Sequence, residues 1–253
     1  MFKHQTSFLL LGLVLASSVD STAARRAKRR STTPFGKISD MELALQSSVT
    51  TACETAALMG VFEGCKALSH NDKLPKLFRY DIAGLGVVQW SSLWIIVFGS
   101  GIVRAVVDGS LSAASEQLIN PNEVPSESAG WYSSLKKPWF NPPGWLFPVM
   151  WLIISKPTQL IAFSRVANAI TWKQLTLYGV YLSLGDTWNQ VFFAFRRIRL
   201  GSIIIGAFWL SLLLTAVAFG SIDRAAGLLL LPTIGWVTVA AALNLGIYRL
   251  NGY

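Results

Sequence analysis

At 253 residues the chain could hold one or two domains, but ten tryptophans, 52% hydrophobic residues and only 14% charged ones set it among membrane proteins. The formal charge of +9 is concentrated at the start: residues 1 to 37 carry seven basic residues against Asp20 alone, and the +3 left over is no nucleic-acid footprint. Cys53 and Cys65 cannot build a disulfide framework, and with His70 they fall short of any metal-ligand spacing, so no metal site is expected.

Lys3 precedes an apolar run, Phe8 to Ala16, that closes on the small residues Ala16-Ser17-Ser18. That is the make-up of a secretory signal peptide over residues 1–18, and the run is too short to span a bilayer. Residues 19–37 form a basic segment, and from Ser21 to Thr33 it is rich in Ser, Thr and Arg with no acid, which is transit-peptide chemistry. A signal followed by a transit segment resembles the two-part address of algae whose plastids were acquired secondarily, so a plastid membrane is the expected destination. An uncleaved anchor, leaving the chain in the endoplasmic reticulum, and a mitochondrial presequence are the alternatives.

Residues 38–69 predict a helix: Ala, Leu, Met and Glu prevail, proline is absent, and Ser39-Asp40 supplies a cap before Glu42. Leu45, Val49, Cys53, Ala56 and Met59 recur at helical spacing and predict one apolar face. The expected role is a soluble surface or docking helix, with Asn71 to Tyr80 joining it to the remainder and a boundary near residue 81.

Five apolar runs follow, roughly 82–106, 144–164, 174–195, 201–219 and 226–248. Each approaches or exceeds the ~20 residues that cross hydrocarbon, and lipid forces each to be helical because it offers the backbone no hydrogen-bond partner. Gly99 with Gly101, and Gly201 with Gly206, permit close helix contacts. Between the first two runs lies Trp131-Tyr132-Ser-Ser-Leu-Lys136-Lys137-Pro138-Trp139-Phe-Asn-Pro142-Pro143-Gly-Trp145-Leu-Phe-Pro-Val-Met-Trp151, where aromatics and prolines crowd a helix start. Adjacent prolines fix backbone angles and withhold donors, so that helix begins at a defined point.

The pattern Trp-Tyr-x-x-Leu-x-Lys-Pro-x-x-x-Pro-Pro-x-x-x-Phe-Pro-x-x-Trp resembles the loop and second helix of the TspO/MBR family, the tryptophan-rich sensory and translocator proteins. Trp188 with Phe192 and Phe193 resembles that family's third helix, and Pro232-Thr-Ile-Gly-Trp236 followed by Asn244 resembles its fifth. The resemblance covers roughly residues 85 to 253. It implies an all-α membrane protein, with a five-helix bundle over 82–253 preceded by the leader and the soluble helix.

The resemblance also implies a pocket for flat hydrophobic ligands, notably porphyrins, under a lid. The implied lining is Trp131, Tyr132, Trp139, Trp145, Trp151, Trp188, Phe192, Trp236, Ala240 and Asn244, and the lid carries Lys136, Lys137, Pro138, Pro142 and Pro143. Large rigid rings with one donor each suit a planar macrocycle with polar edges. A belt of aromatics at headgroup level is the alternative for Trp139 and Trp145. Lys136 and Lys137 would meet porphyrin propionates or anionic headgroups.

Two ionisable residues, Lys156 and Asp186, fall inside apolar runs, where they are costly enough to be functional candidates. Counting depth from the short connection between the second and third runs puts them ~14 and ~20 Å in at 1.5 Å per residue, which predicts an intramembrane pair. No nucleophile-base-orienter set occurs, so no catalytic residue is assigned. The leading expectation is a binding protein for tetrapyrroles, porphyrin or heme, or similar planar lipophiles, with no covalent cofactor. It would sit in a lipid bilayer, and a homodimer is allowed, as is common among relatives. A light- or oxygen-dependent porphyrin-degrading enzyme is the second reading, and a scaffold docking partners through helix 38–69 is the third.

Overall fold

The computed structural model describes residues 39–69, 81–108 and 126–252. The segments read as signal peptide (1–18) and basic transit segment (19–37), and the whole linker from Asn71 to Tyr80, lie outside the described residues. The described chain is almost wholly helical. Helix α1 (Asp40–Ser69) is followed by a two-residue hairpin, β1 (Asp81–Ile82) and β2 (Leu85–Gly86), paired antiparallel with Asp81 opposite Gly86. Ala83 and Gly84 both take positive φ, 55° and 81°, and the Asp81 carboxylate accepts the Gly84 N–H at 2.7 Å to close the turn.

Helix α2 (Val87–Val107) starts directly from β2, with the Gln89 side chain accepting the Gly86 N–H at 3.0 Å. Then come α3 (Ser126–Ser134), α4 (Leu146–Val166), α5 (Trp172–Asn189, continued by a π-helical turn Gln190–Ala194), α6 (Ile198–Ile222), α7 (Arg224–Leu228) and α8 (Leu231–Asn251). Four segments are long and apolar enough to cross a membrane: α2, α4, α6, and α7 with α8. In α5, Lys173, Asp186 and several hydroxyls lower the hydropathy, yet it packs against α1, α2 and α6 and buries Leu175, Tyr178, Tyr181, Leu182 and Trp188. A helix enclosed by membrane spans shares their environment, so α5 completes the five-helix bundle.

The helices form a ring in which α2 meets α4, α4 meets α8, α8 meets α6, and α6 meets α5. Lipid is as apolar as Leu, so interlocking rings and polar contacts rather than hydrophobicity hold the ring closed. At one end Phe163 stacks on Phe219 (6.1 Å) and tilts against Tyr178 (4.8 Å). The opposite end carries the lid.

Helix α4 is not regular. Pro157 has no N–H, and from Val149 to Ser155 the backbone runs π-helical, with the Lys156 N–H bonded five residues back to the Trp151 carbonyl. Helix α1 forms over the predicted residues, but the face it packs differs from the expected one. Leu45 and Val49 point outward at 68% and 57% exposure, while Leu43, Ser47, Glu54, Thr55, Leu58 and Phe62 are buried. The face is polar because its partner is polar: α2 and α5 present Arg104, Ser183 and Thr187 to it.

Candidate functional site

The aromatic residues converge at the lid end. Trp188 stacks on Phe192 (5.7 Å between centroids, 24°) and stands edge-on to Phe193 (5.8 Å, 75°). From the lid, Trp131 meets Phe192 edge-on at 5.6 Å, and Tyr132 reaches Phe193 at 5.7 Å. On the other side, Trp236 meets Phe147 (5.2 Å, 79°) and Trp151 (6.3 Å, 81°), all three near the start of α4 or within α8. Such tilted and T-shaped pairs suit ring quadrupoles, at ~0.5–1.5 kcal/mol each beyond their area burial.

One polar pair is set among the rings. The Trp188 indole N–H donates to the Asn244 side-chain oxygen at 2.9 Å, and the Asn244 amide donates to the Ser202 hydroxyl at 2.6 Å. Asn244 is buried and joins α5, α6 and α8. The buried Trp236 indole N–H has no protein partner. Between the rings lies a space of about 10 Å³ lined by Tyr132, Phe147, Trp188, Phe192, Phe193, Ala240, Leu243, Asn244 and Ile247. That is about one water's worth of room.

The lid is clamped over it. The Asn251 side chain accepts the Lys136 N–H at 3.0 Å and donates to the Lys136 carbonyl at 2.9 Å. The Pro138 ring lies so close to α8 that a Cβ on Gly246 would come within 3.0 Å of it. The Lys137 ammonium sits 4.7 Å from the Tyr132 ring centroid and donates to the carbonyls of Ser133 and Leu135, both at 3.3 Å. Burial pushes the Tyr132 phenol up to about 12. Pro142 is buried and Pro143 exposed.

Trp131, Tyr132, Trp188, Phe192, Ala240 and Asn244 therefore come together, and Trp151 and Trp236 pair beside them. Trp139 and Trp145 stand apart, 96% and 67% exposed, in the position of an interfacial belt. Of the four glycines singled out for close packing, Gly201 lies against Phe192 and Asn244, and Gly206 meets nothing within 4 Å.

Lys156 and Asp186 share a second, larger cavity of about 180 Å³ with Ser100, Trp151, Gln159, Gly185 and Asn189. The predicted direct pair is not formed. Lys156 instead donates to the Val97 carbonyl of α2, and Asp186 Oδ2 has no hydrogen-bond partner. Depth brought the two to one cavity but did not fix the contact: α4 packs chiefly on α2 and α8, and α5 chiefly on α6 and α1, with the cavity between them.

The ion pair actually present escaped sequence reading. Arg104 of α2, 5% exposed, donates through Nη1 to Glu54 Oε2 at 2.9 Å and to the Thr187 hydroxyl at 2.7 Å, and through Nη2 to Gln190 Oε1 at 2.8 Å. Gln190 donates onward to Asp108 at 3.1 Å. The signal was present: a lone Arg at the end of the first apolar run, and a lone Glu in the middle of helix 38–69. Among the described residues no cluster of three His, Cys, Asp or Glu has the spacing to hold a metal.

The sequence profile of the TspO/MBR family matches residues 106–249, more than half of the chain and the whole aromatic cluster. The chain belongs to the TspO/MBR family. It is 37% identical over 125 residues to protein CrtK of Rhodobacter capsulatus, an alignment covering 48% of this chain and 78% of that protein. The tryptophan-rich sensory protein of Cereibacter sphaeroides is 32% identical over 139 residues, covering 55% and 84% respectively. The human translocator protein is 25% identical over 139 residues, covering 51% and 79%. The TspO/MBR match includes the lid, α4, α5, α6 and α8. Glu54 and Arg104, and all of α1, lie outside it.

Proposed function

We propose that the lid end of the bundle binds flat hydrophobic molecules with polar edges, tetrapyrroles such as porphyrin or heme being the class, and that the protein sequesters, moves or senses them in an organelle membrane. A plastid membrane is the one its N-terminal composition favours. The observation that carries this reading is the ring cluster of Trp131, Tyr132, Trp188, Phe192 and Phe193 around the buried Trp188–Asn244 hydrogen bond. It offers π-faces and one polar anchor to a planar guest.

With only about 10 Å³ between the rings, a macrocycle enters by displacing the lid and taking over its ring contacts. Lid opening also frees the Lys137 ammonium from the carbonyls it now caps, and with Lys136 it can meet carboxylate edges. Titration of protoporphyrin into the full chain in nanodiscs, followed by tryptophan fluorescence in the dark, tests the reading. Saturable quenching is expected, and weaker in Asn244→Ala, which removes the polar anchor: one hydrogen bond lost from the complex, at ~1 kcal/mol, is about fivefold. Quenching that never saturates refutes it, and a new absorbing product formed only under light supports porphyrin breakdown in its place.

A further inference from the structure

We propose that α1 is a sixth membrane-embedded helix, whose outward face of Leu45, Val49, Ala52, Cys53 and Ala56 meets lipid acyl chains. Its contacts run from one end of the bundle to the other. Asp40 Oδ1 lies 3.7 Å from Arg197 Nη1, at the turn between α5 and α6 on the lid side. Further on, Thr51 meets Thr187 at 2.7 Å, Thr55 donates to Ser183 at 3.2 Å, and Met59 accepts from Thr176 at 3.3 Å, so α1 runs antiparallel to α5 over its length. Phe62 stacks on Phe163 at 5.2 Å, at the far end. From Asp40 to Phe62 at 1.5 Å per residue is ~33 Å, against ~30 Å of hydrocarbon.

The distribution of charge agrees with that depth. Between Glu42 and Glu63 the helix has one acidic or basic residue, Glu54, and it is wholly buried against Arg104. The exposed side chains in this interval are Leu45, Gln46, Ser48, Val49, Ala52, Cys53 and Ala56, with Gln46 within two turns of the end. A helix lying on a protein in water turns its polar side out; α1 buries Ser47, Glu54 and Thr55 together with Leu43, Leu58 and Phe62, and turns Leu45, Val49, Ala52, Cys53 and Ala56 outward. The polar residues it buries lower its mean hydropathy below that of the four most apolar spans.

Two hydroxyls bond to the helix backbone, as lipid demands: the exposed Ser48 donates to the Ala44 carbonyl at 2.8 Å and the half-buried Thr50 to the Gln46 carbonyl at 3.0 Å. The helix approaches closely as membrane helices do, with Gly179 of α5 so near that a Cβ would lie 3.1 Å from Thr55 Cγ2. The neighbouring α2 continues the apolar surface with Trp94, Ile95, Ile102 and Val106, all exposed. Six crossings place Asp40, the lid and Asn251 at one membrane face.

Cys53 is outward and mid-helix, and the chain has a single other cysteine. A nitroxide on Cys53 of the full chain carrying Cys65→Ser, in nanodiscs, is to be read by power-saturation EPR with oxygen and with a water-soluble nickel chelate; A56C in a chain lacking both native cysteines repeats the reading one turn on. The expected result is high accessibility to oxygen and little to nickel at both positions. Higher accessibility to nickel means that the face meets water, and low accessibility to both means that protein, such as a second copy, covers it; either overturns the proposal.

Discussion

Glu54→Ala removes the carboxylate and leaves Arg104 as a charge 5% exposed among apolar helices. Stranding one partner of a buried pair costs ~3–5 kcal/mol. Arg104 would keep its bonds to Thr187 and Gln190, and Asp186 lies near enough to act on Glu54 electrostatically, so the lower end applies, about 3 kcal/mol. That is roughly a hundredfold in the unfolding equilibrium. Glu54 Oε1 and Arg104 Nε are themselves unpartnered, so the pair is incompletely satisfied, and replacing both members by apolar residues of similar size should recover most of the loss. The assay is reversible denaturation in mixed micelles, comparing Glu54→Ala, Arg104→Met and Glu54→Leu with Arg104→Met combined. A loss below ~1 kcal/mol for the single variants, or a double variant as weak as the worse single one, would refute the view that this ion pair holds α1 to the bundle.

Gly246→Val places methyl groups where the Pro138 ring lies and should lift the lid from α8. The Tyr132 phenol, held up to about 12 by burial, should then titrate closer to the ordinary tyrosine value, read as the absorbance difference from a Tyr132→Phe control. An unchanged titration would show that the lid tolerates the larger residue. At the opposite end, the exposed Arg165 donates to the half-buried Asp223 at 2.7 Å and holds that carboxyl below its usual range. A depressed carboxyl stabilises above its unfolded pKa and loses that contribution as pH falls through the folded one. Asp223→Asn keeps an acceptor for the Ala225 N–H but puts an NH2 group where Oδ2 accepts from Arg165, so the charge and that hydrogen bond go together and its stability should vary less with acid pH than the parent's; identical pH profiles would exclude the linkage.

Long apolar runs and the double proline that ends the lid made the spans legible, since both constrain the backbone locally. The aromatic cluster was legible through the resemblance to the TspO/MBR family, whose lid and third- and fifth-helix motifs Trp131, Tyr132, Trp188, Phe192, Trp236 and Asn244 match. What escaped was azimuth. Helix depth placed Lys156 and Asp186 at similar levels, but the neighbour each helix chooses, and the π-helical stretch before Pro157, decide which way Lys156 points. The packed face of α1 escaped because Ser47, Glu54 and Thr55 look like an exposed stripe until Arg104 and Thr187 are known to face them. Apolar periodicity locates a buried face only where the surroundings are water.

The two hydrogen bonds between the Asn251 side chain and the Lys136 backbone make the last turn of α8 a latch on the lid. Anything attached within a residue or two of Asn251 therefore sits beside the catch. A purification tag or reporter there bears on the lid's hold, so the porphyrin titration belongs on a chain whose last turn of α8 is left unencumbered.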